Sequence, residues 1–262
     1  MKLENRIGMY YTTLAQSERE VYEAFLKQPE VAEQSSMQEA AKIYGVSIGA
    51  LQRFIKKLDY RGFAEFRLAV QDYVSDMAGV SNATQQTMLS QIMQSYAQGL
   101  AVLGQQDLED DLHDLVADLA RYRVVKTVGI GNTGLSAQQL MYSMYGSGKF
   151  IDAVDDRIKV DYLAETLTDD FLIIVFSITG SDFSYEKLLT QAQEAGARTW
   201  LITMNQESGL VDLASRSIVL PSTPLAGFNQ SFYRIDNRTL LYSFTEVINY
   251  YYAEYQHRKE IE

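Results

Sequence analysis

Cysteine is absent from this chain of 262 residues, and histidine occurs only as His113 and His257. Disulfides are therefore excluded, and the donors for a Cys/His zinc site or a cysteine–histidine catalytic pair are missing. No metal and no other cofactor is expected. No apolar run reaches 18 residues, so no membrane span is expected. The first residues carry no apolar signal segment, which together with the missing cysteine points to the cytoplasm. Basic charge is in short supply too: 23 Lys and Arg face 34 Asp and Glu, a net −11. A chain this acidic is not a general nucleic-acid binder.

What is present is unevenly placed. Residues 1–77 hold ten Lys/Arg and eleven Asp/Glu, a net −1, so the remaining −10 lies in 78–262. Within 53–67, Arg53, Lys56, Lys57, Arg61 and Arg67 oppose only Asp59 and Glu65, a local +3. An acidic body with one basic head is compatible with specific binding to double-stranded DNA.

That head reads as helical. Ser17-x-x-Glu20 has the spacing of a capping box and starts a helix burying Val21, Tyr22, Phe25 and Leu26, which stops near Pro29. Ser36 and Glu39 repeat that spacing before AAKIY. Gly45 suits the left-handed turn that ends this helix, and Ser47 suits the cap of the next. In SIGALQRFIKKLDYRGFAEF (47–66), Leu51, Phe54, Ile55 and Leu58 fall on one buried stripe. Gly49, Gln52, Arg53, Lys56 and Lys57 are left facing outward. Gln and Arg after a small-residue first turn suit a helix that enters a DNA major groove, with Ser47, Lys56 and Lys57 contacting the backbone. An ordinary helical corner with a solvated face has the same pattern, and spacing alone leaves both open.

The stretch SDMAGVSNATQQT (75–87) is polar and without apolar period, a linker or helix end. Two amphipathic helices follow, near 88–103 and 107–121. Then VVKTVGI (124–130), FLIIVFS (171–177), TWLITM (199–204) and SIVL (217–220) alternate with helical segments, and a further strand is expected to end at Asp152. Strands apolar throughout, separated by helices, form a parallel sheet covered on both faces. Ligands of such sheets bind at the carboxyl ends of the strands. Two loops lie there: Gly129-Ile-Gly131-Asn132-Thr133-Gly134 and Ser177-Ile-Thr179-Gly180-Ser181. Backbone N–H groups and hydroxyls at a helix start can hold a phosphate or sugar hydroxyls without a cation. The first loop has a GxGxxG-like pattern, but its strand begins too far into the chain for a dinucleotide fold. Plain strand-to-helix turns would also contain these glycines. The C-terminal stripe Leu240, Phe244, Val247, Ile248, Tyr251 and Tyr255 is either core or a subunit interface.

These residues resemble the RpiR-type bacterial transcription regulators, which join an N-terminal helix-turn-helix to a C-terminal SIS (sugar isomerase) domain. Val46-Ser47 and Arg53-Phe54-x-Lys56-Lys57-Leu58-x-Tyr60-x-Gly62-Phe63-x-Glu65-Phe66 are similar to the family's recognition-helix signature. Ala50 stands where the family commonly has Thr, and Asp59 where it commonly has Gly. Ser177 to Gly196 resembles the family's Ser-x-Ser-Gly-x-Thr loop and its helix, with Thr179 for a Ser and Asp182 for the usual Thr. Gly129-x-Gly131-x-Thr133 resembles the first SIS loop.

The resemblance implies an all-α helix-turn-helix head (1–77), a linker and connecting helix (78–106), and an α/β SIS domain (107–262) with a parallel five-stranded sheet flanked by helices. It implies a DNA-binding regulator that senses a phosphorylated sugar or related effector through Gly131, Asn132, Thr133, Ser177, Thr179, Gly180 and Ser181, and that works as a homodimer or tetramer. A carboxylate beside a phosphate is repelled, so Asp182 is expected to point away from the pocket. The competing reading is a SIS-type phosphosugar isomerase with an accessory N-terminal domain, for which Glu165, Glu186, His113 and His257 are candidates by type alone. A third is a sugar-binding adaptor without DNA contacts.

Overall fold

A computed structural model describes residues 3–10, 13–80, 87–180, 183–222 and 238–261. The chain divides into two compact units, one running to Val102 and one from Leu103 to Leu220 that resumes at Arg238. The first contains α1 (Leu3–Tyr10), α2 (Gln16–Lys27), α3 (Pro29–Gln34), α4 (Met37–Ile43), α5 (Ile48–Lys57), α6 (Phe63–Val80) and α7 (Met88–Leu103). The expected stripe on α5 is realised: Leu51, Phe54, Ile55 and Leu58 are all buried. They meet Val21, Tyr22 and Phe25 of α2 and Phe66 and Val70 of α6 in one core. Phe66 sits at its centre, with ring centroids 5.7 Å from Phe25, 6.0 Å from Phe54 and 5.6 Å from Tyr60.

Two local expectations need correction. Helix α2 begins at Gln16, and the residue reaching back to its first turn is Glu18, whose carboxylate accepts from the Ala15 N–H at 2.9 Å. Glu18 is buried beside the core, so it reaches the helix start where the more exposed Glu20 does not. Residues 75–80, read as linker or helix end, belong to α6.

The second unit continues with α8 (Glu109–Arg121), β1 (Val124–Val128), α9 (Asn132–Gly146), β2 (Asp152–Val154), α10 (Arg157–Ala164), β3 (Phe171–Ser177), α11 (Phe183–Ala195), β4 (Arg198–Thr203), α12 (Leu210–Leu213), β5 (Arg216–Val219) and α13 (Thr239–Ile261). All five strands are parallel, in the order β2-β1-β3-β4-β5. Asp152 opens β2 rather than ending it, because its register partner is Lys126 in mid-β1. Alternate residues of β3 serve opposite faces. Leu172, Ile174 and Phe176 join α8, α9 and α13 in one core, whereas Ile173 and Val175 join α10 and α11 in the other. This explains why the strand is apolar from Phe171 through Phe176. Leu240, Phe244 and Ile248 of α13 are buried in the first of these cores, so the centre of the C-terminal stripe is core.

The strand order fixes where a ligand fits. From β1 the chain moves outward to β2, then crosses back to β3 on the other side of β1. The loops leaving β1 and β3 therefore diverge and leave a crevice at the carboxyl edge.

Candidate functional site

The recognition surface is built on the α4–α5 corner. The Ser36 Oγ accepts from the Glu39 N–H at 3.3 Å while the Glu39 carboxylate accepts from the Ser36 N–H at 2.9 Å, the reciprocal cap expected from the spacing. The Ser36 N–H, and the Ser36 hydroxyl donating at 2.8 Å, hold the Glu39 carboxyl below its ordinary range. Gly45 adopts φ +68° and ends α4. Ser47 then caps α5, its Oγ accepting from the Ala50 N–H at 3.0 Å.

Opposite the buried stripe, Gly49, Gln52, Arg53 and Lys56 are exposed, as is Ser47. An Arg53 guanidinium nitrogen lies 3.4 Å from the Ser17 hydroxyl, which steadies it without burying it. Lys56 donates to the Arg61 carbonyl at 2.8 Å. Lys57 departs from expectation: it is half-buried, because it lies at the border of the apolar stripe, where a lysine stem packs along the core.

The corner closes on a strained residue. Asp59 has φ +61°, left-handed backbone that favours glycine. Arg6 of α1 holds this turn, donating to the carbonyls of Leu58 at 3.0 Å and Asp59 at 2.6 Å and pairing with the Asp59 carboxylate at 3.3 Å. Its guanidinium also stacks 4.5 Å from the Tyr60 ring centroid.

The second site lies in the sheet unit, in the crevice between the β1 and β3 loops. An open cavity of about 260 Å³ is lined by Ile130, Asn132, Thr133, Ser177, Ile178, Thr179, Tyr185 and Arg238. Four of the seven expected effector residues, Asn132, Thr133, Ser177 and Thr179, thus come together on it. Gly131 and Gly180 shape the loops instead of lining the cavity. Both have positive φ, +66° and +60°, and a Cβ on Gly180 would fall 2.0 Å from the Ser208 hydroxyl. Ser181 and Asp182 lie outside the described residues.

The loops are braced from below. The Gly180 N–H donates to the Ser177 Oγ at 3.0 Å, and Asn205 and Ser208 donate to the carbonyls of Thr179 and Gly180, both at 2.7 Å. The Ser177 Oγ accepts from that loop, which leaves its own proton for a ligand. Thr133 instead spends its proton on the Ile130 carbonyl, at 3.1 Å.

Two lining residues escaped the sequence reading. The Tyr185 hydroxyl accepts from the Ile130 N–H at 2.6 Å and donates to the Phe176 carbonyl at 3.4 Å, tying the two loops together. Arg238, at the foot of α13, is the one charged side chain lining the cavity among the described residues, and its Nε is buried without a hydrogen-bond partner. Hydroxyls, an amide and one guanidinium, with no carboxylate among them, suit an anion that also offers hydroxyl groups.

The residues considered for isomerase chemistry lie elsewhere. Glu165 is exposed and paired with Lys187 at 3.2 Å, and Glu186 and His257 are exposed. His113 is exposed on α8 beside Glu109. Asp155, after β2, is paired with Lys159, which with Gln138 holds its carboxyl below the usual range.

Comparison with known proteins adds three findings. A family model described as the rpiR-family helix-turn-helix domain matches residues 1–77, and the SIS-domain model matches 119–246. Among relatives, an uncharacterized HTH-type transcriptional regulator of Haemophilus influenzae is 25% identical over 228 residues, 82% of this chain and 78% of that one. The Escherichia coli regulator YfhH is 25% identical over 224 residues, 81% and 79%. Among solved structures, Vibrio vulnificus NanR complexed with ManNAc-6P covers 94% of this chain and 89% of its own at TM-score 0.58 and 18% identity. The sugar isomerase domain of an RpiR transcription factor from Sphaerobacter thermophilus covers 67% and 95% at TM-score 0.58 and 17% identity. At such identities the structures establish a shared fold.

Proposed function

We propose that this chain, which belongs to the rpiR helix-turn-helix family and carries a SIS domain, is a sequence-specific DNA-binding transcription regulator controlled by a sugar phosphate. The α5 face reads the major groove: Gln52 and Arg53 at base edges, Ser47 and Lys56 on the phosphates, with Lys57 contributing its ammonium from the border of the core. Two copies on a two-fold axis present two such helices to successive major grooves, and the working form is a cytoplasmic homodimer.

The effector occupies the crevice between the β1 and β3 loops. The observation that carries this assignment is the lining itself: hydroxyls of Ser177 and Thr179, the amide of Asn132 and the guanidinium of Arg238, without a carboxylate among the described residues. A phosphate finds charge and donors there, and sugar hydroxyls find the remaining polar groups. Ser181 belongs to the same loop and completes the proposed set. The relatives named as transcriptional regulators and the neighbour solved with ManNAc-6P agree with this reading. Isomerase chemistry needs a base within reach of the bound sugar, and neither a carboxylate nor an imidazole lines the cavity among the described residues. The relatives named as transcriptional regulators favour sensing over turnover.

Calorimetry with hexose and amino-sugar phosphates, against the matching unphosphorylated sugars, tests the assignment. A sugar phosphate should bind and its neutral parent bind far more weakly. Arg238→Gln should cost about 1.5–3 kcal/mol for the phosphate, the size of a hydrogen bond to a charged group, and leave neutral sugars unchanged. Equal loss for both ligands would make Arg238 structural, and turnover of a sugar phosphate would return the isomerase reading.

A further inference from the structure

Helix α5 starts differently from its neighbours. Helices α2, α3, α4 and α6 each place a glutamate in the first turn (Glu18, Glu30, Glu39 and Glu65), where it suits the positive end of the helix dipole. The first turn of α5 has no acidic residue and opens on Ile48. Ile48 is 43% exposed, while Ala50, Leu51, Phe54 and Ile55 supply the buried side of the helix, so the core of the head does not hold it. Its β-branch does not favour a helix either. Lone exposed isoleucines are ordinary on a protein surface. This one stands at the leading end of a face otherwise made of Gly49, Gln52, Arg53 and Lys56.

Ile48, Gln52 and Lys56 follow at intervals of four, a single ridge of the helix. Lys56 is engaged by the Arg61 carbonyl and Arg53 by the Ser17 hydroxyl, whereas the Gln52 amide has no hydrogen-bond partner among the described residues. The floor of a major groove offers hydrogen-bonding edges, which glutamine reads best at adenine, and one apolar group, the C5 methyl of thymine.

We infer that Ile48 is a specificity-determining residue that packs on a thymine methyl, with Gln52 on an adenine close by. The inference rests on the DNA-binding regulator proposed above and names part of the sequence it selects. Side chains four apart on a helix are about 5–6 Å apart and base pairs about 3.4 Å apart, so the thymine and the adenine belong to base pairs one or two steps from each other. A glutamate at position 48 would meet the phosphates; isoleucine leaves the leading turn neutral and apolar. Ile43 is also exposed, but it borders a hollow with Glu20 and Glu23, whose carboxylates repel DNA.

Deoxyuridine tests this directly, because it pairs as thymidine does and lacks only the methyl. Selection from a random-sequence duplex pool by the full chain supplies the DNA. Replacing its thymines one at a time should weaken wild-type binding about fourfold at a position one or two base pairs from a selected adenine, the value of one buried methyl-sized group. Ile48→Ala should bind the thymine and deoxyuridine duplexes equally, and Ile48→Val should recover part of the difference. Gln52→Ala should lose the preference for adenine and keep the methyl effect, and Ile43→Ala should match the wild type in both. A full methyl effect in Ile48→Ala, or none in the wild type on a selected duplex, overturns the role of Ile48 and leaves the DNA-binding regulator standing. A pool from which no sequence is enriched overturns both.

Discussion

Asp59 shows how much one residue can carry. Where the resembling family has glycine, this chain places an aspartate at φ +61° and offsets the strain with Arg6. An exposed ion pair contributes little, about 0–1 kcal/mol, and left-handed backbone costs an ordinary residue roughly 1–2 kcal/mol. Asp59→Gly should therefore leave the melting temperature unchanged or slightly raised, whereas Asp59→Val should lower stability by about 1–2 kcal/mol. Thermal unfolding of the full chain followed by circular dichroism separates them, and an unharmed valine variant would show the turn is not strained. Arg53 is the opposite kind of residue, exposed and steadied by the Ser17 hydroxyl. Arg53→Ala should weaken operator binding by about 1–3 kcal/mol at fixed salt without changing the fold, read by gel shift. Unchanged affinity would remove it from the reading surface.

At the scale of elements, the α4–α5 corner was legible because its signals are local: a capping pair three residues apart, a glycine at a positive-φ turn, and a stripe at helical period. The central strands were legible for a similar reason, β3 being apolar from Phe171 to Phe176 and β4 carrying the apolar run Trp200–Ile202. The cavity was legible in its loops and not in its far wall. Tyr185 reaches it from α11 and Arg238 from the turn before α13, and nothing in their local sequence marks them as lining residues. Lys57 was not legible, because a residue at the border of a stripe is assigned by packing and not by period. The buried stripe makes a direct prediction: Phe54→Ala should destabilise the head by about 3 kcal/mol or more, since it opens a cavity against Phe66. A chemical-denaturation midpoint within error of the wild type would contradict the packing described.

The contact between the end of α4 and the α2–α3 corner should respond to pH. Burial pushes the Tyr44 phenol up from 10.0 to about 12, and its hydroxyl donates to the Gln28 carbonyl at 3.0 Å. The neutral form is thus the one the fold favours. Its stabilisation is complete below pH 10 and is lost as pH climbs toward 12. Denaturant midpoints of the wild type should fall between about pH 9.5 and 11.5 more steeply than those of Tyr44→Phe, and parallel curves would remove Tyr44 as the cause.

At the scale of the whole molecule, an acidic chain of net −11 confines its basic cluster to one helix and its neighbourhood, 53–67. A second unit offers a crevice with one guanidinium and several hydroxyls. In the function proposed above, a small anion in that crevice biases the DNA-binding head, which requires the two to be coupled. The direct measurement is a fluorescence-anisotropy titration of the DNA upstream of the regulated gene, at fixed salt, with and without a saturating sugar phosphate. Specific binding should appear at roughly 10⁻⁸–10⁻¹¹ M, and the sugar phosphate should shift it by about 5- to 150-fold. Affinity no better than for unrelated DNA, or an identical curve with ligand shown by calorimetry to be bound, would contradict the account.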